Sequence, residues 1–199
     1  MARRGAYAKG VAKREEILAA ALEVIAREGY GRASVRELAD AVGLSQAGLL
    51  HYFGTKEELF AAVLRKRDEI DLARFEERTG DVTAFEGLRQ TIGRNADVPG
   101  LIQLYVRLSA EATDPTHPAH AFFTERTRTF RVFVASDIRR MQAEGTARTD
   151  IDAEQAAMLI LASADGLQVQ WLMDPTIDMA EHVSVLLRLL EPPPTPADA

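Results

Sequence analysis

Between Gln46 and Lys56 the chain holds groups whose types and spacing could read and grip a nucleic acid. Leu49, Tyr52 and Phe53 recur at i, i+3 and i+4 and would point inward from a short helix, which leaves Gln46, Ala47, Gly48, Leu50 and His51 facing outward. An outward set with so little apolar bulk could enter a major groove. Lys56 stands where a further helix begins, so its ammonium and the unpaired amides of the helix start lie at one end, an arrangement suited to a phosphate. Other chemistries lack their residues. There is no GxSxG elbow, no phosphate-cradling glycine loop and no HExxH. The absence of cysteine removes disulfides, zinc–thiolate sites and thiol catalysis. His117 and His120 beside Glu111 and Asp114 are of metal-ligand type, but they fall at a loop and helix start with no second compact cluster. No enzyme activity, metal or cofactor is expected.

The elements that must position these groups are written in the residues before and after them. Ser34 and Glu37 form a capping box that starts a helix. Val35, Leu38, Ala39 and Val42 then recur on one face, with the small Ala39 permitting close approach of another helix. Gly43 can take the left-handed conformation of a sharp reversal, Leu44 plugs the angle, and Ser45 caps a second helix over residues 46–53. Thr55 and Glu58 make a second capping box, from which another helix runs. Helix, turn, helix is also an ordinary corner of all-helical proteins. The coincidence of Ala39, Gly43, Leu44, a serine cap and a sparsely apolar outer face points instead to a helix-turn-helix that binds DNA.

Residues 17–63 resemble the DNA-binding domain of the TetR family of bacterial transcriptional regulators. The resemblance is carried by Leu38-Ala39, Val42-Gly43-Leu44-Ser45, Leu49, His51-Tyr52-Phe53 and Lys56-Glu57-Glu58-Leu59, without a gap. It implies an all-α fold, with an N-terminal three-helix DNA-binding domain and a larger C-terminal helical domain for ligand binding and dimerisation, about nine helices together. Base reading then falls to Gln46, Ala47, Gly48 and His51, and phosphate contact to Lys56 with Tyr52 and Thr55. Ser34 and Arg36, at the start of the first helix of the motif, complete the DNA-binding set. One departure stands out: the family often places a tyrosine that touches phosphate where this chain has Leu50, which has no hydroxyl to donate.

The charge balance is 24 basic against 30 acidic residues, or −6, which at first argues against DNA. Its distribution argues for it. Residues 1–14 hold Arg3, Arg4, Lys9, Lys13 and Arg14 and no acid, leaving 19 basic against 30 acidic residues, or −11, in the remainder. A flexible basic arm over residues 1–14 could lie along phosphates or in a minor groove. That arm precedes a DNA-binding domain over residues 15–63, a ligand-binding and dimerisation domain over 64–190, and a tail over 191–199 whose PPPTP opening cannot continue a helix. A 47% hydrophobic chain of 199 residues can bury a sizeable core. With no apolar segment of signal-peptide length and no run approaching a membrane span, a cytoplasmic protein is expected.

Beyond residue 63 the pattern is helical, with Gly and Pro as punctuation. Helices are predicted over residues 56–78, broken near Gly80-Asp81, then 84–95 capped by Thr83, 99 to about 114, 118–144 stopped by Gly145, 153–173 capped by Asp152 with Gln155, and 177–190. The last two are apolar on more than one side. One side would pack internally and the other would meet a second copy, giving a two-fold four-helix bundle through Leu159, Leu167, Trp171, Val183, Leu186 and Leu190. A homodimer would carry two recognition helices about 34 Å apart, matched to a palindromic operator. The middle helices are the expected sensor. Phe85, Leu88, Ile92, Leu104, Tyr105, Leu108, Phe123 and Phe130 could line a cavity or fill it, and Arg107, Glu111 and Asp165 could orient a small-molecule effector. The helix from Lys56 belongs to both domains and is the expected coupling element. The competing readings are a helical small-molecule-binding or sequestering protein whose N-terminal motif is only structural, and a nonspecific DNA-coating protein. Substituting His51 and Gln46 separates them, because only a specific regulator has an operator preference to lose.

Overall fold

A computed structural model describes residues 2–29, 33–77 and 83–192, with side chains from residue 9 onward. Among the described residues every regular element is an α-helix: α1 (Ala2–Glu28), α2 (Val35–Ala41), α3 (Gln46–His51), α4 (Lys56–Glu76), α5 (Ala84–Asn95), α6 (Pro99–Glu111), α7 (His120–Ala143), α8 (Ala153–Met173) and α9 (Met179–Arg188). The chain divides into two compact units, one of residues 1–74 and 98–123, the other of residues 75–97 and 124–199.

The first unit is built around Ile17, Ile25, Leu38, Leu49, Leu59, Phe60, Leu104 and Leu108, all buried in one apolar cluster drawn from α1 to α4 and α6. Here α6 crosses α1 at backbone contact. A Cβ on Gly100 would stand 2.1 Å from the Ile25 carbonyl oxygen and 2.7 Å from Gly29 Cα, so only glycine fits the crossing. The second unit has its own cluster, in which Phe85 of α5 and Val134, Ala135 and Ile138 of α7 meet Ala153, Ala156, Ala157 and Ile160 of α8, with Leu190 beyond α9. Small residues on α8 let the helices close, and α9 packs on α5 and α8. The carboxylate of buried Asp137 accepts the Ala84 N–H at 2.7 Å, satisfying an amide at the start of α5. Asn95 Nδ2 donates to Gln168 Oε1 at 3.2 Å, joining α5 to α8 through a buried polar pair.

The bounds of α5 and α8 agree with the sequence-based expectation, and so do their caps: Thr83 accepts from the Glu86 N–H and Asp152 from the Gln155 N–H. Elsewhere the ends shift by local chemistry. The second helix of the motif was expected to reach residue 53, but α3 closes at His51. Tyr52 and Phe53 donate to Leu49 and Leu50, three residues back, and Gly54 takes φ +90°. Pro118 lies in a turn, so α7 starts at His120 and ends before Gly145 at φ +73°. The helix expected over 177–190 starts later, since Asp178 caps α9, and it ends at Arg188. The helix predicted to reach 78 ends at Glu76, with Glu77 in a turn; residue 78, the expected break near Gly80-Asp81, and residues 193–199 of the tail lie outside the described residues. Residues 2–14, read as a basic arm, form the first half of α1 in backbone conformation.

The expectation about membrane spans is corrected. No stretch was expected to approach a membrane span, yet α8 is long and apolar enough to cross one by length and composition. Its apolar character has another use, since Ala156, Ala157, Ile160, Ala164 and Trp171 are buried within the second unit, and Glu154, Asp165, Gln168 and Gln170 interrupt the run.

Candidate nucleic-acid interface

The motif is assembled by caps and one reversal. Ser34 Oγ accepts the Glu37 N–H at 3.2 Å while Glu37 Oε2 accepts the Ser34 N–H at 2.8 Å, so both halves of the expected capping box are present. At the end of α2, Gly43 takes φ +67°, and the Leu44 N–H reaches the Ala39 carbonyl at 2.9 Å while the Gly43 N–H reaches that of Asp40 at 3.2 Å. This six-to-one and five-to-two pair closes the helix and swings the chain into α3. Ser45 Oγ accepts the Gly48 N–H at 3.0 Å. The second box is formed too, with Thr55 N–H to Glu58 Oε2 at 2.8 Å and Glu58 N–H to Thr55 Oγ1 at 3.1 Å, and α4 starts at Lys56.

Packing decides which face of α3 is free. Leu49 and Phe53 are buried and Tyr52 lies half-buried against the same cluster. Gln46, Ala47 and His51 are exposed, with Gly48 and Leu50 half-exposed beside them. Of the expected base-reading residues, Gln46, Ala47 and His51 therefore share the outward face, while the Cα of Gly48 is turned toward Ser45 and Leu44. Ser34, Arg36, Thr55 and Lys56 are exposed as well. Arg36 has only a distant partner in Asp40, at 3.9 Å with both side chains largely in water, a contact too weak to hold it from a phosphate. Lys56 Nζ rests 5.4 Å from the Phe60 ring centroid.

Two basic residues of α1 do something the sequence pattern did not disclose. The Arg14 guanidinium lies 4.3 Å from the Phe53 ring centroid and donates to the Tyr52 carbonyl at 3.2 Å. Lys13 Nζ donates to the Val42 carbonyl at 3.3 Å and pairs with Glu16 at 2.8 Å. These cations bind the open carbonyl ends of α2 and α3, so α1 fixes the angle of the recognition helix. A positive charge near a DNA motif reads as a phosphate contact in sequence; only the fold shows it turned inward. Across the same unit Lys66 Nζ of α4 meets Glu15 Oε2 of α1 at 2.7 Å, and that hydrogen bond raises the lysine above its ordinary pKa.

The residues read as a ligand site are distributed. Leu104, Tyr105, Leu108 and Phe123 are buried together in the first unit, with Tyr105 and Phe123 ring centroids 5.6 Å apart, while Arg107 and Glu111 are exposed. Phe85 and Ile92 are buried in the second unit and Leu88 is half-buried. Phe130 is half-buried under the Arg126 guanidinium at 4.6 Å, and exposed Asp165 receives the Gln168 amide at 3.4 Å. His117, His120 and Asp114 serve a turn. His117 Nδ1 accepts the Ala119 N–H at 3.2 Å, and His120 Nδ1 donates to the Ala112 carbonyl at 2.9 Å. Asp114 accepts the Thr116 N–H and hydroxyl at 2.8 Å, which hold its carboxyl below the usual range.

Of the residues read as a dimer face, Trp171, Val183 and Leu190 are buried within the chain itself and Leu167 and Leu186 are half-buried, whereas Leu159 is 67% exposed. The outward apolar set on these two helices is Met158, Leu159, Val169 and Met173 of α8, the last 81% exposed, with Val185 of α9 and Leu189 just after it. Each of these spacings follows a helical face rather than a scatter of lone residues.

Comparison with known proteins gives a consistent picture. Residues 17–63 match the bacterial regulatory proteins of the tetR family, and residues 101–192 match the C-terminal part of BetI-type transcriptional repressors. The chain is 31% identical over 159 residues to the HTH-type transcriptional repressor AcnR of Corynebacterium efficiens, covering 79% of this chain and 81% of that protein. A crystal structure of a TetR-family transcriptional regulator from Rhodococcus sp. superposes with a TM-score of 0.70 at 21% identity, covering 89% of this chain and 98% of that one. A transcriptional regulator from Saccharomonospora viridis, crystallised in complex with choline, gives a TM-score of 0.68 at 25% identity over 88% of this chain and 95% of its own.

Proposed function

The chain belongs to the tetR family of bacterial transcriptional regulators, and on that premise we propose that it is a dimeric repressor that reads a palindromic operator through α3 and leaves it when a small molecule binds. The observation that carries this reading is the outward face of α3, where Gln46, Ala47 and His51 stand exposed on a helix held by the Ser45 cap, a left-handed Gly43 and the Arg14 tether. Lys56 and Thr55, at the start of α4, supply the phosphate contact that sets the register of α3 in the groove.

Two copies joined through the outward apolar stripe of α8 and α9 would present two α3 helices to successive turns of one DNA face, about 34 Å apart. An effector releases such a dimer only if it binds the DNA-incompetent arrangement more tightly than the competent one. The α4 helix runs in the chain from Lys56, beside the recognition helix, to Phe75 and Glu76 of the second unit, and is the element through which effector and operator are coupled. Repression is the mode named for AcnR. Choline belongs in the first effector panel because the S. viridis regulator carries it.

Selection from random duplexes by the purified full chain tests this reading. Enrichment of a palindrome with half-sites about one helical turn apart is the expected result. Retention of duplexes without any shared sequence would mean a nonspecific coating protein, and no retention even at low salt would mean a helical binding protein whose motif is only structural.

A further inference from the structure

The recognition helix carries a leucine where the fold gives it nothing to do. Leu49 is buried and belongs to the core of the first unit, as does Phe53, with Leu44 and Tyr52 packed at its margin. Leu50 has no place in that cluster and is half-exposed. On a helix its surface neighbours at i−3 and i−4 are Ala47 and Gln46, both exposed, and exposed His51 stacks on Ala47 at i+4 from it. The outward face therefore presents one apolar patch, the Ala47 methyl and the Leu50 isobutyl group, flanked by two polar side chains.

Gly48 leaves that patch unobstructed. A Cβ there would stand 3.2 Å from Ser45 Oγ and 3.9 Å from Leu44 Cβ, pointing into the turn rather than toward the groove. With Leu49 buried, the outward face holds nothing larger than Ala47 between Gln46 and Leu50, so the helix backbone can sit deep and bring the patch to the base edges. In the major groove the donors and acceptors of each pair are interrupted by one projecting apolar group, the C5-methyl of thymine. An apolar side chain pressed against a base donor or acceptor would desolvate it without replacing its hydrogen bond.

We propose that Leu50, with Ala47, is a specificity-determining contact that reads the C5-methyl of a thymine in each operator half-site, while Gln46 and His51 make the hydrogen-bonded contacts around it. This rests on the reading of α3 as the recognition helix and adds which base, and which group on it, the chain selects.

Replacing thymine by deoxyuridine removes that methyl and leaves Watson–Crick pairing intact. The experiment scans every thymine of the selected operator in this way, by fluorescence anisotropy with the full-length chain and with Leu50→Ala. For the unmodified chain, one thymine position per half-site should weaken binding about fourfold, the worth of one methyl-sized group removed from contact. For Leu50→Ala the same substitution should change affinity by less than about twofold, on the same constant. A unmodified chain indifferent to deoxyuridine at every thymine overturns the proposal, and so does a Leu50→Ala variant that keeps the full sensitivity. Failure to select any operator is a different result: it removes the regulator reading itself.

Discussion

Lys56 and Arg14 show how a single cation acquires its role from where its element begins and ends. Lys56 is exposed at the start of α4, beside amides that α4 itself does not use. Lys56→Ala should therefore weaken binding to all duplexes alike and lower the slope of log affinity against log salt by about one, measured by anisotropy over a salt series. Arg14 is as basic, but its guanidinium is taken by the Phe53 ring and the Tyr52 carbonyl. The outward set of α3 was legible in the sequence because Leu49 fixes the inward direction and the helical period then places Gln46, Ala47 and His51. The inward turn of Lys13 and Arg14 was not, since it depends on α1 lying across the ends of α2 and α3, a long-range fact that no local spacing records. The same limit applies to Arg107 and Glu111, whose apolar neighbours suggested a lined cavity while the fold leaves both exposed.

At the scale of elements, the capped ends were the readable part. Ser34 with Glu37, Thr55 with Glu58, Thr83 and Asp152 each mark a helix start by chemistry confined to four residues. Crossings between helices were not readable in this way, and α1 with α6 is the clearest case. Gly100 looks like a weak helix residue behind Pro99, but it admits the Ile25 carbonyl. Gly100→Ala should push α6 off α1 and cost about 1–3 kcal/mol, read as a lowered midpoint in denaturant. The Glu15 to Lys66 bond ties α1 to α4 more loosely. Both side chains are partly in water, so Glu15→Gln should lower stability by only about 0.5 kcal/mol. Because the bond raises the lysine pKa, its contribution is present through neutral pH and is lost only as pH climbs through the lysine range. The stability difference between Glu15→Gln and the unmodified chain should thus stay constant from about pH 6 to 9 and shrink above the lysine range.

For the whole molecule, the apolar faces of α8 and α9 tell a similar story in two parts. Their excess of apolar residues was plain from sequence, but which side turns outward was not. Trp171 and Val183 are held in the core while Met158, Leu159 and Met173 stand in water. Leu159→Glu, at a position outside the core, should leave the fold intact and convert a dimer to a monomer in sedimentation velocity, with loss of palindrome binding. Unchanged association would place the interface elsewhere. The central claim, that this chain selects its DNA through the outward face of α3, is tested most directly by anisotropy of the unmodified chain and of a Gln46→Ala, His51→Ala double variant. Both are titrated at near-physiological salt against the selected operator and a scrambled duplex of equal length. The account predicts a preference of at least about a thousandfold for the operator in the unmodified chain, and a double variant that binds both duplexes at nearly the weak, scrambled level. A double variant that keeps the full preference would contradict it.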